Sequence, residues 1–347
     1  MITLSQYLLE YERENPDKIG IKNAIEDISK ACIRIMDLVG RGPLIGIHGD
    51  AGEVNVQGED QQKLDILSNQ IILDMLAWSG NWAGLASEEM ENIYHIPAHY
   101  PKGKFLCAFD PLDGSGNIDL NMPIGTIFSI LPYKGGQNAP HNADFLRPGR
   151  EQIAAGYVLY GASTTFVVTL GDGVHSFTFD RSIGEFFRTE KNIRVADTKQ
   201  YSINSSNDRY WLPPVKQYVD ECKAGKDGPR GADYNMRWMG CMVADSHRTL
   251  AKGGMFMYPE DTKNPDEPCK LRLLYESNPM SFIIEQAGGR SITGTQNTLD
   301  IQPTDLHQRV SLMLGCKTEI DYLQSLHQGW QQEKKTADKS DSKKLTK

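Results

Sequence analysis

The stretch Lys104-Phe105-Leu106-Cys107-Ala108-Phe109-Asp110-Pro111-Leu112-Asp113-Gly114-Ser115-Gly116-Asn117 constrains this chain more than any other. From Phe105 to Phe109 every residue is apolar, which reads as a short buried strand. Pro111 has no N–H for a sheet ladder, so the strand is expected to stop at Asp110. Two carboxylates, Asp110 and Asp113, then sit one tight turn apart. Gly114, Ser115 and Gly116 let the backbone approach a ligand closely and aim several N–H groups at it. Carboxylates at a strand end are hard oxygen ligands, suited to Mg²⁺ or Mn²⁺. A Gly/Ser turn just beyond them suits a phosphate. The plainer alternative is a solvated turn with Asp and Gly in their customary places.

The same arrangement recurs at Leu85-Ala86-Ser87-Glu88-Glu89, an apolar run that ends in two acids. A helix start or an exposed turn is the usual reason for such a pair. Charge narrows the possible partners. The net charge is −8, and residues 333–347 hold six Lys against Glu333, Asp338 and Asp341, a local +3, which leaves −11 for the body. A body that acidic argues against nucleic acid as a partner. The six cysteines are scattered without a CxxC pair, so zinc and a disulfide framework are not expected. The N-terminus lacks the pattern of a signal peptide and no run reaches the ~18 apolar residues of a membrane span, so a cytoplasmic protein is expected.

Apolar spacings of three and four predict helices over residues 21–39 and 61–78, with Asp65 in the first turns of the second. Between them, residues 44–59 read as a long acidic, glycine-rich loop. Strands are expected over residues 126–131, 154–160, 165–170, 174–180 and 185–189, separated by turns such as Gly171-Asp-Gly173. Further on come helices over 215–223 and 239–251, strands over 255–258 and 271–275, and a helix from Asn278-Pro279 to Gly288-Gly289.

In chain order, Lys63-Leu-Asp65-Ile-Leu-Ser-Asn69, Glu88-Glu89, Asp110-Pro-Leu-Asp-Gly-Ser115 and Leu273-Leu-Tyr-Glu276-Ser-Asn-Pro-Met280 closely resemble class I fructose-1,6-bisphosphatase. The likeness runs over roughly residues 21–326 and includes Met242-Val-Ala-Asp-Ser-His-Arg248. It implies an α/β fold, a layered α-β-α-β-α sandwich with mixed sheets. An N-terminal domain (1–195) would carry most metal ligands and the allosteric region. A C-terminal domain (196–332) would hold the sugar-phosphate site, followed by a disordered tail (333–347).

The activity implied is metal-dependent hydrolysis of the 1-phosphate of fructose 1,6-bisphosphate, in gluconeogenesis or the Calvin cycle, by a homotetramer. Glu88, Glu89, Asp110, Asp113, Glu276 and the Leu112 carbonyl would bind two or three Mg²⁺, with Mn²⁺ able to substitute. Glu89 and Asp65 would handle the proton of the attacking water, and Glu59 matches the acid of a mobile loop. Asp113, Gly114, Ser115 and Gly116 would cradle the 1-phosphate. Asn204, Lys270 and Arg237, the last from a neighbouring subunit, would hold the distal phosphate, with Trp238 in the sugar-phosphate pocket.

Some positions depart from the family pattern. Gly116 stands for a Ser, Trp238 for a Tyr, and Asn207 for another Tyr. These departures leave sedoheptulose-1,7-bisphosphatase, or dual specificity, as the alternative. The residues that bind AMP in animal members fall on Lys18 and Lys22, Lys104 is kept, and Pro132 replaces an Arg, so weak or absent inhibition by AMP is expected. A catalytically dead sugar-phosphate-binding regulator would have lost Glu89, Asp110 or Asp113. A two-acid glycosidase would leave the Gly/Ser turn unexplained.

Overall fold

The computed structural model describes residues 1–46, 49–54, 60–136 and 138–344. Eight strands form a mixed sheet in the order Glu185–Glu190, His175–Asp180, Thr164–Thr169, Ala154–Tyr160, Ile124–Pro132, Phe105–Asp113, Trp82–Ser87, Tyr94–His95. All neighbours are antiparallel except Trp82–Ser87 and Phe105–Asp113, which run parallel. A second, five-stranded sheet has the order Asn235–Met236, Gln200–Ser202, Met255–Tyr258, Leu312–Gly315, Arg290–Ile292.

The two-residue period of the strands decides the layering. Phe128, Ile130, Val158, Phe166 and Val168 face the helices Leu4–Glu14, Ile21–Arg41 and Lys63–Ala77. Their alternates Ile127, Tyr157 and Val167 face Met242–Lys252 and Asn278–Gln286 on the other side. Phe256, Leu312 and Leu314 of the second sheet close that middle layer. Met255, Met257 and Met313 point outward onto Pro213–Lys223 and Lys317–Lys344. The result is helix, sheet, helix, sheet, helix, and the mixed α/β sandwich is the one expected.

Several elements depart from expectation for local physical reasons. The strand does not stop at Asp110 but continues to Asp113 through a bulge, with Asp110 opposite Ile127 and Asp113 opposite Gly125. An extra residue at the bulge absorbs Pro111, whose carbonyl accepts from Thr126 Oγ1 at 2.9 Å. Residues 271–275 are not one strand: Leu271–Arg272 pairs, then the chain turns into a π-helix at Leu273–Ser277. The expected loop 44–59 contains a strand, Asp50–Val54, paired with Asp60–Gln62. The tail expected to be disordered is helical through Lys344, in keeping with the helix propensity of Glu, Gln, Lys and Ala. Leu4–Glu14, which packs Tyr7, Leu8 and Tyr11 into the core, is a further helix. Among the described residues, no helix is long and apolar enough to cross a membrane.

Candidate active site

The bulge brings the carboxylates together. Residues three apart on a regular strand point to opposite faces, but the extra residue leaves Asp110 and Asp113 opposite partners two apart, on one face. Glu276 reaches the same point from the π-helix, a form of backbone frequent at functional sites. Each of Asp110, Asp113 and Glu276 offers an oxygen within 4.8 Å of the others. Asp110 is 4% exposed and Glu276 3%.

Hydrogen bonds fix these groups individually. Asp110 Oδ1 accepts from Leu112 N at 2.8 Å, and Glu276 Oε2 from Arg272 N at 2.6 Å. Asp113 Oδ2 accepts from Val243 N at 2.6 Å, at the start of helix Met242–Lys252, and from Cys241 Sγ at 3.1 Å. Glu88 pairs with Arg272 at 2.8 Å, both side chains buried. Asp65 is buried in the first turn of helix Lys63–Ala77, where its Oδ2 caps Gln62 N at 3.0 Å. It is therefore a helix cap as well as part of the site.

Burial pushes Asp110 well above the usual carboxylate range, and Glu88, Asp113 and Glu276 add to the rise. Glu276 is pushed up in the same way, by burial and then by Glu88, against the pull of Arg272. Burial raises Asp113 to about 6, although the Val243 N–H and the Cys241 thiol hold it down. Burial and Asp113 likewise push the Cys241 thiol well up.

A cavity of about 350 Å³ gathers Asp65, Glu88, Glu89, Asp110, Leu112 and Asp113 with the turn Gly114 to Gly116 and with Asn204, Trp238, Lys270 and Glu276. Gly114 has φ 87°, left-handed backbone that favours glycine. The turn closes on itself, with Asn117 N donating to Gly114 O and Ile118 N to Ser115 O. Trp238 stacks on Phe256 with an interplanar angle of 9°. Arg237 does not line the cavity; it is exposed, donating to Asn235 Oδ1 and Met236 O. Glu59 lies outside the described residues.

Sequence reasoning gave no place in the site to Arg272, Tyr258, Met242 or Cys241, the last of which reads from its apolar neighbours as core filler. Arg272 carried a signal, being a charge inside the apolar run Leu271 to Leu274.

The lining holds six carboxylates (Asp65, Glu88, Glu89, Asp110, Asp113, Glu276) and two cations (Lys270, Arg272), an excess of four negative charges. Buried charge on that scale requires protons or bound cations, and oxygen donors alone suit a hard divalent metal. A Gly/Ser turn beside such a cluster suits a phosphate, so the site is of the kind that serves a phosphatase. Residues 2–191 match the fructose-1-6-bisphosphatase N-terminal domain model, and residues 195–328 match the C-terminal domain model. The chain belongs to the fructose-1,6-bisphosphatase family. The crystal structure of Leishmania major fructose-1,6-bisphosphatase in holo form is similar, with 34% identity over 94% of this chain and 98% of that one and a TM-score of 0.87.

Proposed function

We infer that this protein is a phosphatase that hydrolyses the 1-phosphate of fructose 1,6-bisphosphate to fructose 6-phosphate and phosphate. The observation that carries the reading is the convergence of Asp110, Asp113 and Glu276 beside the Gly114 to Gly116 turn in one cavity. We propose that Glu88, Glu89, Asp110, the Leu112 carbonyl, Asp113 and Glu276 hold two or three Mg²⁺ ions. When bound, the ions neutralise charge on the phosphate oxygens and lower the pKa of water.

The chain's own groups do the rest. The backbone of Gly114 to Gly116 and the Ser115 hydroxyl bind the reacting phosphate. Asp65 and Glu89 take the proton of the attacking water. Lys270, exposed at the cavity, offers a mobile cation to the distal phosphate, with Asn204 beside it. Trp238, flat against Phe256, walls the sugar. Arg272 pairs with Glu88 and holds it in place.

The domain division at residues 195–196 belongs to the same reading. So does a homotetramer in which a neighbour contributes Arg237 to the distal phosphate. Arg237's exposure leaves it available to a neighbouring subunit. Six free cysteines, five of them buried, support a reducing, cytoplasmic setting. Phosphate release from fructose 1,6-bisphosphate and sedoheptulose 1,7-bisphosphate, measured side by side, tests the substrate. Faster turnover of the seven-carbon sugar would replace this reading with the alternative.

A further inference from the structure

We propose that Cys241 is a positioning residue, holding Asp113 in the orientation that faces Asp110 and Glu276. The inference rests on the metal reading of that cluster. Cys241 Sγ lies 3.1 Å from Asp113 Oδ2 and 3.7 Å from the Asp113 carbonyl oxygen. With Val243 N at 2.6 Å, the same carboxylate oxygen takes two donors from the segment that opens helix Met242–Lys252. That leaves the other oxygen for the cluster. The thiol also backs the phosphate turn. A Cβ at Gly114 would lie only 2.6 Å from Cys241 Sγ, so the sulfur packs directly against the left-handed residue after Asp113. Cys241 thus ties the later half of the chain to the carboxylate and to the turn at once. A thiol is a weak donor to a neutral partner, but a carboxylate acceptor strengthens the bond.

Mn²⁺ binding, followed by the loss of the free ion's electron paramagnetic resonance signal, tests this on wild type, Asp113→Asn, Cys241→Ala and Cys241→Ser. The alanine variant is expected to bind Mn²⁺ about tenfold more weakly, and serine, which keeps a donor, to recover most of that loss. Melting temperatures separate donor from filler, because a residue that merely filled space would make serine as poor as alanine. If alanine does not fold, Cys241→Val, apolar and without a donor, takes its place beside serine. Asp113→Asn is the control for the underlying reading. Wild-type Mn²⁺ binding in that variant would remove the metal site itself. Loss of binding there, with wild-type affinity in Cys241→Ala or equal weakness in alanine and serine, would overturn the role of Cys241 alone.

Discussion

Asp113 accepts from Val243 and Cys241, belongs to the three-carboxylate cluster, and opens the phosphate turn. Asp113→Asn keeps the shape and both acceptor bonds but removes one negative charge from the carboxylate cluster. The expected outcome is an unchanged circular dichroism spectrum and a fall in kcat of about a thousandfold. Activity within a factor of about ten of wild type would place the metals elsewhere. Asp110, Asp113, Glu88 and Glu89 were legible because they close apolar runs, whereas the roles of Asp65 and Glu276 came from the resemblance. Arg272 and Cys241 were not legible, since their partners Glu88 and Asp113 lie more than a hundred residues away in the chain. Two histidines outside the site make a separate case. Burial lowers both His175 and His327 to about 4, below their ordinary value near 6.5. The neutral form is the folded one, so their stabilisation is complete above about pH 6.5 and is lost as pH falls from there toward 4. Each contributes up to about 1.4 kcal/mol per pH unit in that window. His175→Phe should flatten the dependence of melting temperature on pH between about 6.5 and 4; an unchanged slope would show that His175 is not the source.

Among the elements, helix Ile21–Arg41 best shows how tertiary structure completes a local signal. Its apolar spacing was plain in the sequence, but its cap was not. Gly20 N and Lys22 N donate to Glu12 Oε1, at 2.7 and 2.9 Å, from the preceding helix. A carboxylate there satisfies free N–H groups and complements the helix dipole. Glu12→Ala should cost about 1 kcal/mol, read as a shift in chemical denaturation midpoint; a neutral effect would make the contact incidental. The same geometry bears on AMP. Lys18 Nζ donates to Tyr11 Oη and Leu170 O, Lys22 pairs with Glu26, and Glu12 holds the helix N–H groups an added phosphate would need. Titration of AMP against hydrolysis at saturating Mg²⁺ is expected to show weak inhibition or none. Cooperative inhibition at micromolar AMP would show that this end of the helix opens to the nucleotide. The strands Ile124–Pro132 through Glu185–Glu190 were readable because turn residues separate them. The bulge at Pro111 and the π-helix at Glu276 were not. Both are departures from a regular period, imposed by packing around the site.

At the scale of the whole molecule, the five-layer sandwich places carboxylates from the large sheet opposite residues of the later strands and helices, with the cavity between. Layering of this kind cannot be read from periodicity, because a strand's pattern does not reveal which helix will cover it; the resemblance in its motifs supplied it. Assembly is tested by light scattering and by Arg237→Ala. A tetramer is expected, with KM for the bisphosphate raised and the fold intact, whereas a fully active monomer would remove the role given to Arg237. The central claim, that buried carboxylates hold metals for phosphoryl transfer, is tested most directly by phosphate release from fructose 1,6-bisphosphate with Mg²⁺ present and after excess EDTA. The account predicts release of one phosphate per sugar, abolished by the chelator and restored by added Mg²⁺. Full turnover in EDTA, or no release with Mg²⁺ present, would contradict it.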